Sequence, residues 1–508
     1  AAHAADGYAR ASGKGGVCIA TSGPGATNLV TGIATAMLDS APMVALTAQV
    51  ATAVVGTDAF QEVNITGISL TITKHNFLVR NVEDLAPTLR EAFFLANSGR
   101  PGPVLVDLPR DILTGKTKFE YPDRVPRPGY RPVVHGHPHQ IQRAVQAIKQ
   151  AKRPLIVAGH GISIAKGWNE LRQFAEKIDA PVVETLLGLS ALPGDHPLSL
   201  GMAGMHGVAW ANLAVQNADL LIALGMRMDD RFTGNLQQFA PQAKVVQIDI
   251  DPAEIGKRVP VAVPIVGDVR LTLQALMAQT PEMAHREWLC QIDAWRDRHP
   301  LVVGEGNLPP QEVIRALNHT TKGQAPVVSD VGQHQMWVAQ HYQFNRLNSF
   351  FTSGGLGTMG YSLPAALGVQ AASPDDPTWV VVGDGGFQMN MQELATVAQE
   401  RLPIKIVIMN NGFLGMVRQW QELFHGARYM ATPITGPDFV ALAATFGIPG
   451  QRVTKAEELE SAFANARRAE GPYLLDCLVD KDENVYPMVH PGAGNADFVE
   501  DPRGCNGK

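Results

Sequence analysis

The chain has 508 residues, 45% of them hydrophobic and 18% charged, which is an ordinary globular composition with room for about three domains. Its net charge of −6 gives no electrostatic basis for nucleic acid or an anionic membrane, and no apolar run reaches the ~18 residues of a membrane span. Cys18, Cys290, Cys477 and Cys505 are scattered without ligand spacing, which points to a reducing, cytoplasmic setting rather than a disulfide framework. The chain opens on AAHAADGYARASGKGG, already inside an Ala-rich helical pattern, with neither initiator Met nor signal peptide, so it reads as cut.

Residues 1–49 read as helix, strand (16–20), glycine turn (21–26), a helix from near Asn28, then Pro42 and a strand at 43–47. Gly56 to Glu62, polar around Phe60, reads as a surface loop or as one lying over a cleft. A strand at 104–108 is closed by Pro109. The first domain spans 1–114, and the Pro/Gly/Arg-rich segment 115–138 is a linker. In the middle domain, 139–281, strands at 154–158, 181–184, 220–224 and 245–250 alternate with helices near 140–151 and 168–178. That alternation predicts a doubly wound parallel sheet. Gly159-His160-Gly161 is a fragment of a dinucleotide fingerprint. Gly225-Met226-Arg227 and Asp249-Ile250-Asp251 end strands at the same edge, where such sheets bind ligands.

A charged helical linker, 282–310, leads to the third domain, 311–508. A strand at 327–331 runs into Gly332-Gln333-His334. The glycine cluster 353–360 either packs a turn against the sheet or lets backbone lie along a flat ligand. The stretch 379–420 is the most informative. An apolar strand (379–382) meets Gly383-Asp384-Gly385-Gly386, which reads as a sharp turn. A helical segment carrying Met391, Leu394 and Val397 follows, and Pro403 precedes a second strand (404–409) ending on Asn410-Asn411. In such a βαβ unit both strands finish at one edge, so Asp384 and Asn411, 27 residues apart (411 − 384), are brought side by side. A carboxylate and an amide oxygen beside an open helix N-terminus suit a hard cation and a diphosphate. Residues 16–47 repeat the plan.

GDG, 24 residues (386–409) and NN together resemble the metal–diphosphate motif of thiamine-diphosphate enzymes. TSGPGATN (21–28), GTDAFQE (56–62), GMRMDDRFTGN (225–235), SGGLGTMGYSLPAA (353–366) and NNGFLGMVRQWQ (410–421) resemble acetohydroxyacid (acetolactate) synthase catalytic subunits, nearest the bacterial biosynthetic form. The resemblance implies three α/β domains, termed Pyr, FAD-binding and PP. It implies decarboxylation of pyruvate and transfer of the hydroxyethyl unit to pyruvate or 2-ketobutyrate, an aldehyde/ketone-group transfer of branched-chain amino-acid biosynthesis, with thiamine diphosphate, Mg²⁺ and a structural FAD. Asp384, Asn411 and the carbonyl of Phe413 match metal ligands. Gln333, His334, Gly357, Met359, Gly383, Gly385, Gly386, Met389, Gly415 and Met416 match the thiamine-diphosphate site, with Met359 as the wedge that bends the cofactor. Phe60 and Gln61 match catalytic positions, and Arg231 and Trp420 match the pair that selects the second ketoacid. Arg100, Gly159, Gly161, Thr185, Leu186, Met205, His206, Gly225, Arg227, Asp249, Ile250 and Asp268 fall where the family contacts flavin.

The departure is at the start. The family's essential glutamate precedes the segment matching Ala1 to Ala5, so the resemblance implies a shortened, impaired copy of a competent enzyme. The alternatives are a glyoxylate carboligase-like enzyme, which lacks that glutamate, and an inactive cofactor-binding scaffold. The resemblance also implies a homodimer or homotetramer with active sites between chains, and raises a small regulatory subunit as a partner.

Overall fold

The computed structural model describes residues 1–124 and 129–503. Residues 125–128 of the 115–138 linker, and Cys505, lie outside them. The first domain holds a four-stranded parallel sheet, β1 (Gly16–Ala20), β2 (Met43–Gln49), β3 (His75–Leu78) and β4 (Pro103–Pro109), in the order β1-β2-β4-β3. The second holds β5 (Pro154–Ala158), β6 (Val182–Glu184), β7 (Ser199–Met202), β8 (Leu220–Leu224), β9 (Lys244–Asp249) and β10 (Val263–Val266), ordered β10-β9-β8-β5-β6-β7. The third contains β11 (Val327–Ser329), β12 (Phe350–Phe351), β13 (Trp379–Gly383), β14 (Lys405–Asn410), β15 (Gly450–Val453) and β16 (Tyr473–Leu478), ordered β12-β11-β13-β14-β16-β15. A short hairpin, β17 (Met488–Val489) with β18 (Phe498–Val499), lies in the carboxy-terminal tail.

The central strands β5, β8 and β13 are uninterrupted apolar runs because both faces of each sheet are covered. Side chains alternate across a strand. In β5, Ile156 and Ala158 enter one buried cluster while Leu155 and Val157 enter another on the opposite face. In β13 and β14, Val381 and Val407 face one core, and Val380, Val382, Ile406 and Ile408 the other. The strands that periodicity did not reveal are mostly edges. β7 and β10 are the outer strands of the second sheet, and β10 tolerates Pro264 there because an edge strand need not donate every N–H. The expected turn at Gly383–Gly386 is corrected. Gly383 ends β13 and caps helix Asp384–Asn390, so the two following glycines lie in the helix's first turn. Helix Arg286–Arg298, within the 282–310 segment, packs Trp288 and Ile292 into the second domain's core, where Trp288 Nε1 donates to the Pro154 carbonyl at 3.0 Å. Among the described residues no helix is long and apolar enough to cross a membrane.

The first and third domains are locked together by helices Ala2–Ser12 and Ser362–Ala372. A Cβ on Gly368 would stand 1.8 Å from the Ala4 carbonyl oxygen, so only glycine permits this approach. Arg10 is buried beside the contact. Its guanidinium pairs with Asp6 (2.9 Å) and Asp39 (2.7 Å) and donates to the Thr352 carbonyl at 2.8 Å. Tyr361 Oη donates to Asp6 at 2.6 Å, and the Asp39 carbonyl accepts from His160 Nδ1 at 3.0 Å, so residues of all three domains meet here. Substitution R10M leaves two buried carboxylates without their cation, a loss of about 3–5 kcal/mol. A clearly lowered thermal midpoint is expected; an unchanged one would remove the pair from any structural role.

Glu184, at the end of β6, is buried, and one oxygen accepts from Ala191 N (3.0 Å) and Leu192 N (3.2 Å). Burial pushes its carboxyl up to about 8 from an ordinary 4.5. The folded chain therefore holds a proton that the unfolded chain releases above about pH 4.5, and the stability tied to that proton is lost as pH rises through 8. E184Q keeps the acceptor without the ionisation, so its thermal midpoint should fall less between pH 5 and 8 than the parent's. Parallel curves would count against this account.

Candidate functional site

Parallel pairing sets Gly383 of β13 opposite Met409 of β14, and β11 lies on the other side of β13. The carboxyl ends of these three strands open into one cleft, with Met359 at its wall. Three helices begin there, at Gln333, Asp384 and Gly415, and none has a side-chain cap on its N-terminal N–H groups. Free N–H groups and converging helix dipoles favour an anion.

The polar side chains of the cleft are held by short backbone bonds. Asp384 Oδ2 accepts from Gly412 N, and Asn411 Oδ1 from Phe413 N, each at 3.0 Å. Burial pushes the Asp384 carboxyl up to about 6, against the backbone N–H bonds that favour its ionised form. Gln333 donates through Nε2 to Gln419 Oε1 (2.8 Å) and the Glu483 carbonyl (3.1 Å), while its Oε1 is buried without a partner beside Gly415. His334 Nε2 is likewise buried and unpartnered. Burial lowers this imidazole to about 4, so it is neutral near pH 7. These unpartnered atoms fit a cleft built to receive a polar ligand. A carboxylate, an amide oxygen and the Phe413 carbonyl make a hard oxygen set of the kind Mg²⁺ takes beside phosphate oxygens. Among the described residues no three His, Cys, Asp or Glu side chains gather around a metal position; the oxygen set here has one carboxylate, that of Asp384.

Met359 is clamped from two sides. Asp330, fully buried, accepts from Gly360 N through Oδ1 and from Ser362 N through Oδ2, both at 2.9 Å. Upstream, Asp39 of the first domain accepts from Gly354 N (3.1 Å) and Gly355 N (2.6 Å), and Thr35 shares a 2.8 Å hydrogen bond with Thr358. Sequence reading missed Asp330 and Asp39. The signal for Asp330 was its place after β11, parallel to that of Asp384 after β13. Asp39, at the end of helix Val30–Asp39, carried no local signal.

The expected site residues do not all share this cleft. Gln333, His334, Met359, Gly383 to Gly386, Asn411, Phe413, Gly415 and Met416 line it; Gly357 and Met389 do not. Phe60 and Gln61 sit on the first domain away from it. Phe60 is 89% exposed, and Gln61 has φ 61° and packs on Gly23. The Arg231 guanidinium carbon stands 5.9 Å from the Trp420 ring centroid, a cation–π contact between the second and third domains. The Arg231 side chain is 61% exposed; its Nη1 donates to Met205 Sδ at 3.6 Å and its nearest carboxylate, Asp230, is 3.8 Å away, so no carboxylate holds it closely.

At the second sheet the residues expected around flavin divide. A Cβ on Gly161 would meet the Gly225 Cα at 2.6 Å, and one on Gly159 the Gly225 carbonyl oxygen at 2.4 Å, so these glycines let neighbouring strand ends touch. Arg100 is engaged by Asp251 (3.2 Å), Glu254 (3.0 Å) and Ser40 (2.9 Å). Asp268 caps helix Val269–Met277, Thr185 Oγ1 accepts from Gly188 N at 3.1 Å, and Leu186 packs on the third domain's core. Ile250 is half-buried beside Asp249, whose carboxyl burial pushes up to about 6. Two groups are left with spare capacity. Among the described residues His206 Nε2 is buried without a partner, and the one ion pair of Arg227 is with Asp229, at 3.9 Å. Met205 N donates to the Arg231 carbonyl at 2.7 Å, joining this edge to the Arg231 loop.

Comparison with known proteins identifies the family. Residues 1–68 match the thiamine pyrophosphate enzyme N-terminal TPP binding domain, 141–276 the central domain, and 330–477 the C-terminal TPP binding domain. The chain is 50% identical over 514 residues to the acetolactate synthase large subunit of Corynebacterium glutamicum, covering 98% of this chain and 82% of that protein. It is 47% identical over 507 residues to the acetolactate synthase isozyme 2 large subunit of Escherichia coli, covering 98% and 90%. It is 47% identical over 521 residues to the acetolactate synthase of Mycobacterium bovis, covering 99% and 84%. With three domains matched in order and half its residues shared over almost its whole length, the chain belongs to the acetolactate synthase large-subunit family of thiamine pyrophosphate enzymes.

Proposed function

We propose that this chain joins two 2-ketoacids, decarboxylating pyruvate and transferring the two-carbon unit to a second pyruvate or to 2-ketobutyrate, giving 2-acetolactate or 2-aceto-2-hydroxybutyrate. The observation that carries the reading is the juxtaposition of Asp384 and Asn411 at neighbouring strand ends, inside the matched TPP-binding domain, where three uncapped helices converge. Thiamine diphosphate, when bound, supplies the electron sink for decarboxylation. Asp384, Asn411 and the Phe413 carbonyl hold Mg²⁺, and the helix N-termini at Asp384 and Gly415 hold the diphosphate. Met359, fixed by Asp330 and Asp39, shapes the cleft wall. Arg231 takes the carboxylate of the second ketoacid in a bidentate fork, and Trp420 contacts its alkyl end. His206 and Arg227 give FAD polar partners at the second sheet's edge. Phe60 and Gln61, projecting from a loop that does not line this chain's cleft, serve the cleft of another copy in a dimer or tetramer.

D384N is expected to weaken Mg²⁺-dependent activation of the full chain by at least the roughly 10–100-fold seen when weaker, outer-shell metal contacts are lost, while flavin absorbance stays unchanged. Normal activation would exclude Asp384 as a ligand. Product analysis tests the reaction itself. With pyruvate the full chain should release acetolactate; turnover of glyoxylate and none of pyruvate would replace the proposal with a carboligase.

A further inference from the structure

Arg231 and Trp420 belong to different domains, and a third element ties them together. Tail residues 484–489 and 493–495 are buried or half-buried, with 490–492 exposed between them. On the Trp420 side, Gln419 Nε2 donates to the Val485 carbonyl at 3.1 Å and Gln419 Oε1 accepts from Val485 N at 2.9 Å. The Trp420 ring stands edge-to-face on Phe424 (5.2 Å), which in turn meets His490 (5.1 Å). On the Arg231 side, Val489 N donates to the Met205 carbonyl at 2.7 Å, and Met205 N to the Arg231 carbonyl at the same distance. Asn495, wholly buried, donates through Nδ2 to the Phe232 carbonyl at 2.9 Å. Asn235 bonds the tail twice, from N to the Ala493 carbonyl (2.9 Å) and from Nδ2 to the Gly492 carbonyl (3.1 Å).

We infer that this tail determines specificity: by bonding the Arg231 loop on one side and the Trp420 helix on the other, it fixes the gap into which the alkyl end of the second ketoacid fits, with Asn495 as its chief positioning residue. The inference rests on the reading of Arg231 and Trp420 as the ketoacid-selecting pair. Pyruvate and 2-ketobutyrate present the same carboxylate to Arg231 and differ by one methylene, so choice between them depends on how closely the indole is held to the guanidinium. Loosening the loop should leave the cofactor cleft intact and blunt the choice.

The test gives the full chain, loaded with thiamine diphosphate, Mg²⁺ and FAD, equal pyruvate and 2-ketobutyrate, and measures the ratio of 2-aceto-2-hydroxybutyrate to acetolactate by mass spectrometry. N495A should lower that ratio by about 3–10-fold, part of the roughly 10–200-fold that one methylene allows. N235A, which removes one side-chain bond from the rim, should lower it less. W420L is the control for the underlying pair and should lower it most. A general loss of stability would reduce both products together and leave the ratio where it was. If W420L lowers the ratio and folded N495A does not, the tail has no part in selection. Should N495A fail to fold, an unchanged ratio in N235A overturns the inference. If W420L itself leaves the ratio unchanged, the pair reading falls and the tail's role falls with it.

Discussion

Two strands paired in parallel end at one edge, and the third domain exploits that geometry. The middle of β13 and residues 406–409 of β14 are apolar because both faces are covered, so a polar group placed there would be buried unpaired. Polar chemistry is displaced to the first residue that escapes the sheet, which is Asp384 after β13 and Asn411 after β14. The same packing that buries Val380 to Val382 therefore fixes where the carboxylate and the amide stand. The helices that cover the sheet start at this edge, and their N-termini, which no side chain caps, favour an anion there.

A site built this way is only as well placed as its wall, and here the wall is a glycine-rich loop. Such a loop gains little from its own side chains, so its geometry has to be imposed from outside. Two buried carboxylates do this, Asp330 from the same domain and Asp39 from the first. Burying Asp39 is tolerable because Arg10 neutralises it, and Arg10 in turn is oriented by Asp6 and Tyr361. The interdomain ion cluster and the position of Met359 are thus one arrangement.

Much of this was legible in the sequence, and the parts that were not share a physical reason. The βαβ unit at 379–411, the second-domain strands 154–158 and 220–224, and the pairing of Asp384 with Asn411 follow from period, length and turn residues, all of them local. β7 and β10 escaped because edge strands are short and half-buried, and Pro264 interrupts the apolar run that holds β10. The helical start at Asp384 was read as a turn because consecutive glycines signal a turn when no neighbours are known; here the glycines make room for Leu414 and for Asp330. Asp39, Asp330 and Asn495 act through backbone groups distant in the chain, and nothing in their own neighbourhoods announces it. The contact of Arg231 with Trp420 across 189 residues (420 − 231) likewise came from resemblance and not from spacing.

If Arg231 and Trp420 act as proposed, the division of labour between them sets what kind of selectivity is available. A guanidinium binds any 2-ketoacid carboxylate equally well, so binding energy gained at Arg231 is common to both acceptors and cannot separate them. Discrimination has to come from the indole face, where one methylene is worth only about 1–3 kcal/mol and only if the contact is close. A dispersion contact is forfeited by gaps well under an ångström. Rigidity around Trp420 is therefore worth more to selection than additional charge would be. Buried neutral bonds from Gln419 and Asn495 supply that rigidity on the two sides of the gap, beside the ion pairs of Arg418 with Glu422 and Asp482.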